Sequence, residues 1–160
     1  MVTGRLKGTL EEASVTLITE ERDFSFVNDN QLRLILKRDF SEIQRAYIST
    51  CWKSVIILCG GAIEAILTDL LIANEAKAKA SGRAPINKYD ITRWDLSDLI
   101  NVSLYLKLVS PGVEKLSHSL REYRNLVHPG NEMRNKLTFD AEEAKIALEV
   151  LNIVYRDLNK

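Results

Sequence analysis

The stretch from Ser54 to Ala73, SVIILCGGAIEAILTDLLIA, is the longest apolar run in the chain and decides its fold. It is long enough to raise the question of a membrane span, which needs roughly 20 apolar residues. Glu64 and Asp69 lie inside the run, however, and charged side chains are costly in the middle of a bilayer. The run therefore predicts the central helix of a soluble bundle and no membrane association.

Two consecutive glycines, Gly60 and Gly61, lie in the middle of this predicted helix. Glycine lowers helix propensity, so we expect a close helix crossing at this point as its compensation. Glu64 follows one turn after Gly60. It is either a surface residue or a buried acid paired with an arginine, and the sequence leaves both interpretations open.

Helical patterns surround this run in the N-terminal half of the chain. Apolar residues recur close to the helical period from Leu32 to about Ile48. The helix that contains the run is predicted from about Thr50 to Ala80, with a solvent-exposed tail that includes Lys77 and Lys79. Ser81-Gly82 would end it.

The C-terminal half of the chain predicts two more helices before Pro129-Gly130. The first runs from about Asp95 to Lys107. Ser110-Pro111 would start the next one, because serine is a good N-cap and proline is favoured in the first turn. Pro129-Gly130 would end that helix and leave Asn131 to Phe139 as a polar loop.

A last helix is predicted from Asp140 to about Asn159. Glu143 follows Asp140 by three residues, which is the spacing of a capping box. Together these elements predict an all-α, up-and-down bundle of four or five main helices.

Length and composition indicate a single domain. The chain has 160 residues, of which 46% are hydrophobic, enough to bury one core. We interpret residues 1–30 as an N-terminal extension, in which Leu10 to Glu21 could be a short helix or extended, and residues 31–160 as one helical domain. The 22 basic and 22 acidic residues argue against a general electrostatic binder of nucleic acid, although they allow a local basic site.

The cysteines and the N-terminus indicate the compartment. Cys51 and Cys59 are the only cysteines, and we expect them to be buried thiols in a reducing environment. No Cys/His cluster has the spacing of a zinc site, so neither a metal nor a cofactor is expected. The N-terminus has no apolar signal core, which favours a cytoplasmic location.

The run from Leu120 to Gly130, LREYRNLVHPG, contains the candidate site. Counted from Arg121, Arg124 lies at +3, Asn125 at +4 and His128 at +7. On one α-helix these four residues would fall within roughly 100° of arc, at about 100° per residue. Such a stripe suits a cleft or an interface, because arginines clamp phosphates and histidine moves protons near neutral pH.

A second, apolar arc of the same predicted helix would face the core. Its members are Leu116, Leu120, Tyr123 and Val127. Trp52 and Trp94 are also expected to be core anchors rather than platforms for stacked bases. His118, on the flank of the polar arc, is interpreted as a surface residue.

Three segments of the chain resemble the HEPN domain family, helical bundles that include many ribonucleases. They are Ser54–Ala65, Trp94–Ile100 and Leu120–Gly130, within a resemblance that covers roughly residues 39–159. The family signature is an arginine, four to six residues and a histidine, and Arg121 fits it with six residues before His128. Arg124 is followed by a polar residue, as in the family, but only three residues separate it from His128. Both arginines are therefore candidates for the principal role.

The resemblance implies a metal-independent endoribonuclease that works as a homodimer, in antiviral defence or as a toxin with an antitoxin partner. His128 would be the general acid or base, and Arg121 and Arg124 would hold the phosphate. Asn125 would orient the histidine or the RNA. In the loop beyond, Arg134 and Lys136 would guide the RNA backbone.

Other interpretations remain open at this stage. His128 could cap the carbonyls at a helix C-terminus, and the two arginines could form a solvated face paired with Glu114, Glu122 or Glu132. The domain could equally be a non-catalytic HEPN module that binds RNA, a nucleotide or a protein. A structural dimerisation bundle within a larger assembly is a third possibility.

Overall fold

The computed structural model describes residues 20–115, 118–136 and 138–160. Within these ranges the chain forms α-helices and 3₁₀ helices and no strand, which confirms the predicted all-α bundle. The choice between helix and extended chain for residues 10–21 falls almost entirely outside the described ranges.

Seven α-helices and three 3₁₀ helices lie in the described ranges. The α-helices are α1 (Asn30–Ile48), α2 (Trp52–Ile72), α3 (Glu75–Lys79), α4 (Leu96–Tyr105), α5 (His118–Arg121), α6 (Pro129–Asn135) and α7 (Ala141–Leu158). The 3₁₀ helices are Ile91–Arg93, Pro111–Lys115 and Tyr123–Val127.

The apolar run forms α2, and α2 is the centre of the bundle. It contacts α1, α4, α7 and the 3₁₀ helix Tyr123–Val127. Its length and composition would also suit a membrane span, but half of that apolar stretch is buried inside the protein. Such packing is typical of the core helix of a soluble bundle. The buried side chains of α2 include Val55, Ile56, Cys59, Ile63, Ile66, Leu67 and Leu71.

α2 ends earlier than predicted, at Ile72 instead of Ala80. Asn74 leaves the helical conformation, with φ −118° and ψ 27°, and its side-chain amide donates to the Leu70 carbonyl at 2.9 Å. This hydrogen bond satisfies a carbonyl at the end of the helix, which explains why the helix stops there. The tail continues as the short helix α3, where Ala78 is fully buried and the flanking lysines are exposed. The prediction that this tail is exposed to solvent is therefore confirmed for the lysines and wrong for Ala78.

Aspartates at the N-caps set the starts of α1, α4 and α7, whereas Cys51 at the start of α2 makes no side-chain cap. The Asp29 and Asp140 carboxylates each accept a backbone N–H three residues later, at 2.9 Å. Asp95 and Asp98 form a complete capping box at the start of α4. The predicted start of α7 at Asp140 is thus confirmed, although the Glu143 side chain contributes no reciprocal hydrogen bond in the described contacts.

Residues 20–29, at the end of the predicted extension, pack against the bundle. Phe24 and Val27 are buried in the core. The Arg22 guanidinium lies 4.1 Å from the centre of the Phe40 ring and 4.6 Å from that of Tyr155. This part of the chain therefore joins α1 to α7.

The remaining core predictions are confirmed in part. Trp94 is buried and its indole N–H donates to the Lys88 carbonyl at 2.8 Å, whereas Trp52 is half-buried beside Tyr47. Cys59 is buried, and burial raises the pKa of its thiol to about 12. Cys51 is exposed, so its predicted burial is wrong, because it precedes α2 in the turn after α1.

Candidate functional site

The candidate site lies on a series of short helical pieces. The single helix predicted from about Ser110 to Val127 is wrong. A 3₁₀ helix covers Pro111–Lys115, α5 ends at Arg121, a second 3₁₀ helix covers Tyr123–Val127, and α6 begins at Pro129.

The spacing of the buried side chains accounts for the second 3₁₀ helix. Leu120 and Leu126 are fully buried, and Tyr123, between them, packs against the core. Inward-facing residues three apart match the 3.0 residues per turn of a 3₁₀ helix. Val127, which an α-helix would turn toward the core, is 54% exposed, so its predicted burial is wrong. Leu116, the first residue of the predicted apolar arc, lies outside the described residues.

Tyr123 packs directly on the first glycine of α2. A Cβ atom placed on Gly60 would lie 2.4 Å from Cγ of the Tyr123 ring, a distance that real Cβ atoms do not show. The prediction of a close approach at the glycines is confirmed. The approaching group, however, is an aromatic ring on a 3₁₀ helix.

Glu64 is a largely buried acid that binds two neighbouring residues of the motif. The Tyr123 hydroxyl donates to Oε2 of Glu64 at 2.7 Å, and Nη2 of Arg124 donates to Oε1 in an ion pair. The Glu64 side chain is 14% exposed, whereas that of Arg124 is 58% exposed. Of the two interpretations of Glu64, the structure selects the acid paired with an arginine.

The same contacts change the acidity of Tyr123. Burial, followed by the hydrogen bond to Glu64, raises the pKa of its hydroxyl to about 12. The hydroxyl is therefore protonated at neutral pH and acts as a donor to the Glu64 carboxylate.

Arg121 is less accessible than Arg124. It is half-buried at the end of α5, and its Nη2 lies 3.5 Å from the Glu114 carbonyl. Its Nε is buried and has no hydrogen-bond partner among the described residues. Arg121 therefore reaches toward the 3₁₀ helix Pro111–Lys115.

Asn125 and His128 are exposed on the outer side. The side-chain amide of Asn125 donates to the Glu122 carboxylate. The backbone carbonyl of Asn125 accepts the backbone N–H of His128 at 3.2 Å. His128 is extended, with φ −104° and ψ 107°, as expected for a residue that precedes proline. Its side chain makes no capping hydrogen bond at the start of α6.

The four motif residues consequently do not share one α-helical stripe, and this prediction is wrong. Arg124 and Asn125 lie in the 3₁₀ helix, about 120° apart, and His128 follows its last residue in the extended conformation. Arg121 belongs to the preceding helix. Arg124, Asn125 and His128 are each exposed on this segment, whereas Arg121 is half-buried at the end of α5.

The predicted polar loop after the motif is also wrong, because residues Pro129–Asn135 form α6. Proline lacks an N–H and is suited to the first position of a helix, so Pro129 ends one element and starts the next. Arg134 is exposed in the last turn and donates to the side chain of Asn131. Lys136, also exposed, ends the helix in the left-handed conformation, with φ 48°.

Two contributors to the site were not assigned from the sequence. The sequence predicts Tyr123 in the core and assigns no role to its hydroxyl. Lys53 forms an ion pair with Glu132 at 2.7 Å, which attaches α6 to the start of α2. The glycine pair followed by Glu64 indicates that another element packs closely on this part of α2, but it does not indicate that the packing residue is Tyr123.

Other features of the described residues lie away from the motif. A cavity of about 670 Å³ is lined by residues 20–23, α1 and α7. Within residues 20–115, 118–136 and 138–160, no three His, Cys, Asp or Glu side chains come together as a metal-binding group. The side chain of His118 is not among those described.

The chain matches no protein-family model, no curated protein and no solved structure. Fold and site together define an all-α bundle with an exposed arginine–asparagine–histidine surface on short helical pieces.

Proposed function

We propose that this protein is an endoribonuclease of the HEPN type, which cleaves RNA by attack of the substrate's own 2′-hydroxyl. The observation that carries the proposal is the state of Arg124. Its guanidinium is held by Glu64 while the side chain remains 58% exposed, and Arg124 lies four residues before the exposed His128. The resemblance of the Leu120–Gly130 motif to the HEPN signature supports the same function.

The reaction needs a phosphate clamp and proton transfer. The 2′-oxygen forms a bond to the adjacent phosphorus, and the bond from phosphorus to the 5′-oxygen breaks. His128 accepts the proton of the 2′-hydroxyl, or donates a proton to the leaving 5′-oxygen. Arg124, assisted by Arg121, stabilises the charge on the equatorial oxygens. The products are a 2′,3′-cyclic phosphate and a 5′-hydroxyl, and no metal ion is required.

A second copy of the chain completes the proposed site. The motif contains one histidine, whereas the reaction needs both a base and an acid. In a twofold homodimer the partner's motif supplies the second group, across an interface of roughly 1,200–2,000 Å² in total. Arg134 and Lys136, both exposed, would attract the RNA backbone. A cytoplasmic defence or toxin–antitoxin role, with an antitoxin or assembly partner, belongs to the same proposal.

A non-catalytic module that binds RNA or a nucleotide is the second candidate. Two observations favour it: Arg121 and His128 lie on different elements, and the charge of Arg124 is already paired with Glu64. Under this alternative the exposed surface binds an anion without cleaving it.

The cleavage products separate the two candidates. The purified protein is incubated with a mixed RNA pool in EDTA, and the fragment ends are identified by mass spectrometry. We expect 2′,3′-cyclic phosphate and 5′-hydroxyl ends, no cleavage at a 2′-deoxy position, and a loss of roughly 10²- to 10⁴-fold in His128→Ala. A 5′-phosphate product that requires magnesium would refute this mechanism. Equal cleavage by wild type and His128→Ala would remove the catalytic role of the histidine, and RNA binding without cleavage would select the binding module.

A further inference from the structure

We infer that Glu64 is a positioning residue, whose carboxylate fixes the Arg124 guanidinium so that its free N–H groups are presented to a phosphate. This inference rests on the proposed function for the phosphate and on the observed contacts for the positioning. Glu64 belongs to α2, the helix that packs against α1, α4 and α7. Arg124 belongs to a five-residue 3₁₀ helix on the surface. The contact with Glu64 therefore attaches the Arg124 side chain, on a short surface helix, to the central helix α2.

The geometry of the ion pair leaves Arg124 able to bind a second anion. Nη2 contacts Glu64, and the Tyr123 hydroxyl also lies within hydrogen-bonding reach of the guanidinium. The Arg124 side chain nevertheless remains 58% exposed. A guanidinium has five N–H donors in a rigid fork, enough to bind one carboxylate and, on another edge, one phosphate. The arginine side chain is flexible when it is free, so anchoring one edge reduces the disorder that phosphate binding must remove.

Tyr123 and Gly60 orient the carboxylate itself. The Tyr123 hydroxyl occupies Oε2 of Glu64, which leaves Oε1 for Arg124. The Tyr123 ring reaches this position because Gly60 has no Cβ atom at the point of contact. A continuous set of contacts thus runs from the backbone of α2 through Tyr123 and Glu64 to Arg124.

The first test measures the position of Arg124 in the free protein. In Glu64→Gln, the amide oxygen can still accept from the Tyr123 hydroxyl, but the amide nitrogen cannot accept from Arg124. We expect the ¹⁵N relaxation of the Arg124 Nε–H group to report an ordered side chain in wild type and a mobile one in Glu64→Gln. Glu149→Gln, an exposed acid on α7, is the matched control and should leave Arg124 ordered. Unchanged order in Glu64→Gln would overturn the inference.

The second test uses cleavage. Glu64→Gln should lower kcat by roughly 10- to 100-fold with a smaller change in KM, because misplacing a catalytic group by about 1 Å has effects of this size. The double variant Glu64→Gln/Arg124→Ala should be no slower than Arg124→Ala alone, since Glu64 acts through that arginine. A further loss in the double variant would contradict positioning and indicate a separate role for Glu64.

The two tests distinguish a failure of the inference from a failure of the proposed function. If wild type cuts no RNA, the ribonuclease is excluded, while the order of Arg124 still decides whether Glu64 positions it. If Glu64→Gln does not fold, Tyr123→Phe replaces it, because the ring remains on Gly60 and only the hydroxyl is lost. It should loosen Arg124 by a smaller amount, and an unchanged order in this variant would also overturn the inference.

Discussion

The helix α2 and the segment Pro111–Lys136 meet at Gly60 and Glu64, yet they are built differently. α2 is one helix of 21 residues, and it packs against the long helices α1, α4 and α7. The segment consists of short pieces, of which the longest described, α6, has seven residues and no buried side chain. The anchor of the site, Glu64, lies on the first region, and the exposed groups Arg124 and His128 lie on the second.

The comparison shows how the burial pattern selects the helix type. A helix surrounded on several sides gains from apolar residues all round and keeps the α-helical hydrogen bonds. A segment that meets the core along one line, through Leu120, Tyr123 and Leu126, is satisfied by a three-residue repeat. Elements with few buried contacts also open more readily, so the site depends on α2 for a fixed point.

The largest effect on the free energy of unfolding is expected from the buried side chains of the segment Pro111–Lys136. Leu126→Ala should destabilise the protein by about 2–5 kcal/mol, because Leu126 is fully buried. Val127→Ala, its neighbour and control, should change the free energy of unfolding by no more than about 0.5 kcal/mol. Urea denaturation measures both. The opposite order would mean that the motif is a continuous α-helix, as its sequence alone predicts.

The contact between the two regions is tested next by the glycine pair. Gly60→Ala should cost about 1–3 kcal/mol, because the added Cβ overlaps the Tyr123 ring. At Gly61 the nearest ring atom would be 3.8 Å away, so Gly61→Ala should instead stabilise α2 by about 0.5–1 kcal/mol. Thermal or urea unfolding compares the two variants, and an equal response would exclude the close approach at Gly60.

A smaller effect is expected from the pH dependence of Tyr123. Its pKa rises from 10.0 to about 12 on folding, so the unfolded chain loses this proton first as the pH increases. The stability it contributes is complete below pH 10 and is lost between about pH 10 and pH 12. Unfolding measured over this range should therefore show a steeper fall in wild type than in Tyr123→Phe. Parallel curves for wild type and Tyr123→Phe would show that burial and the contact with Glu64 do not raise the pKa of the Tyr123 hydroxyl.

The smallest effect is expected at α6. The pair between Lys53 and Glu132 is about one-third exposed at both side chains, and exposed pairs contribute roughly 0.2–1 kcal/mol. A double-mutant cycle with Lys53→Ala and Glu132→Ala should give a coupling energy in this range. A coupling well above it would mean that α6 is attached to α2 more firmly than its exposed side chains indicate.

Much of the fold could be predicted from local patterns. The predicted helices agree closely with α1, α4 and α7, and the cap at Asp140 lies where the sequence indicates. The end of α2 was missed because helix propensity stays high through Glu75–Lys79, while the hydrogen bond from Asn74 to Leu70 is a geometric event. The HEPN assignment and its function remain predictions, and the experiments above address them.

The sequence by itself determined which residues are available at the candidate site and that an apolar helix lies at the centre. These are local properties, since composition and the period of apolar residues do not depend on distant contacts. Only the tertiary structure decided that Tyr123 packs on Gly60, that Glu64 holds Arg124, and that Val127 faces solvent. Helical periods of 3.0 and 3.6 residues diverge by about 140° over the seven steps from Arg121 to His128, yet the local sequence is compatible with either period. The surface of α2 selects between them, because the Tyr123 ring packs on Gly60 and its hydroxyl binds Glu64.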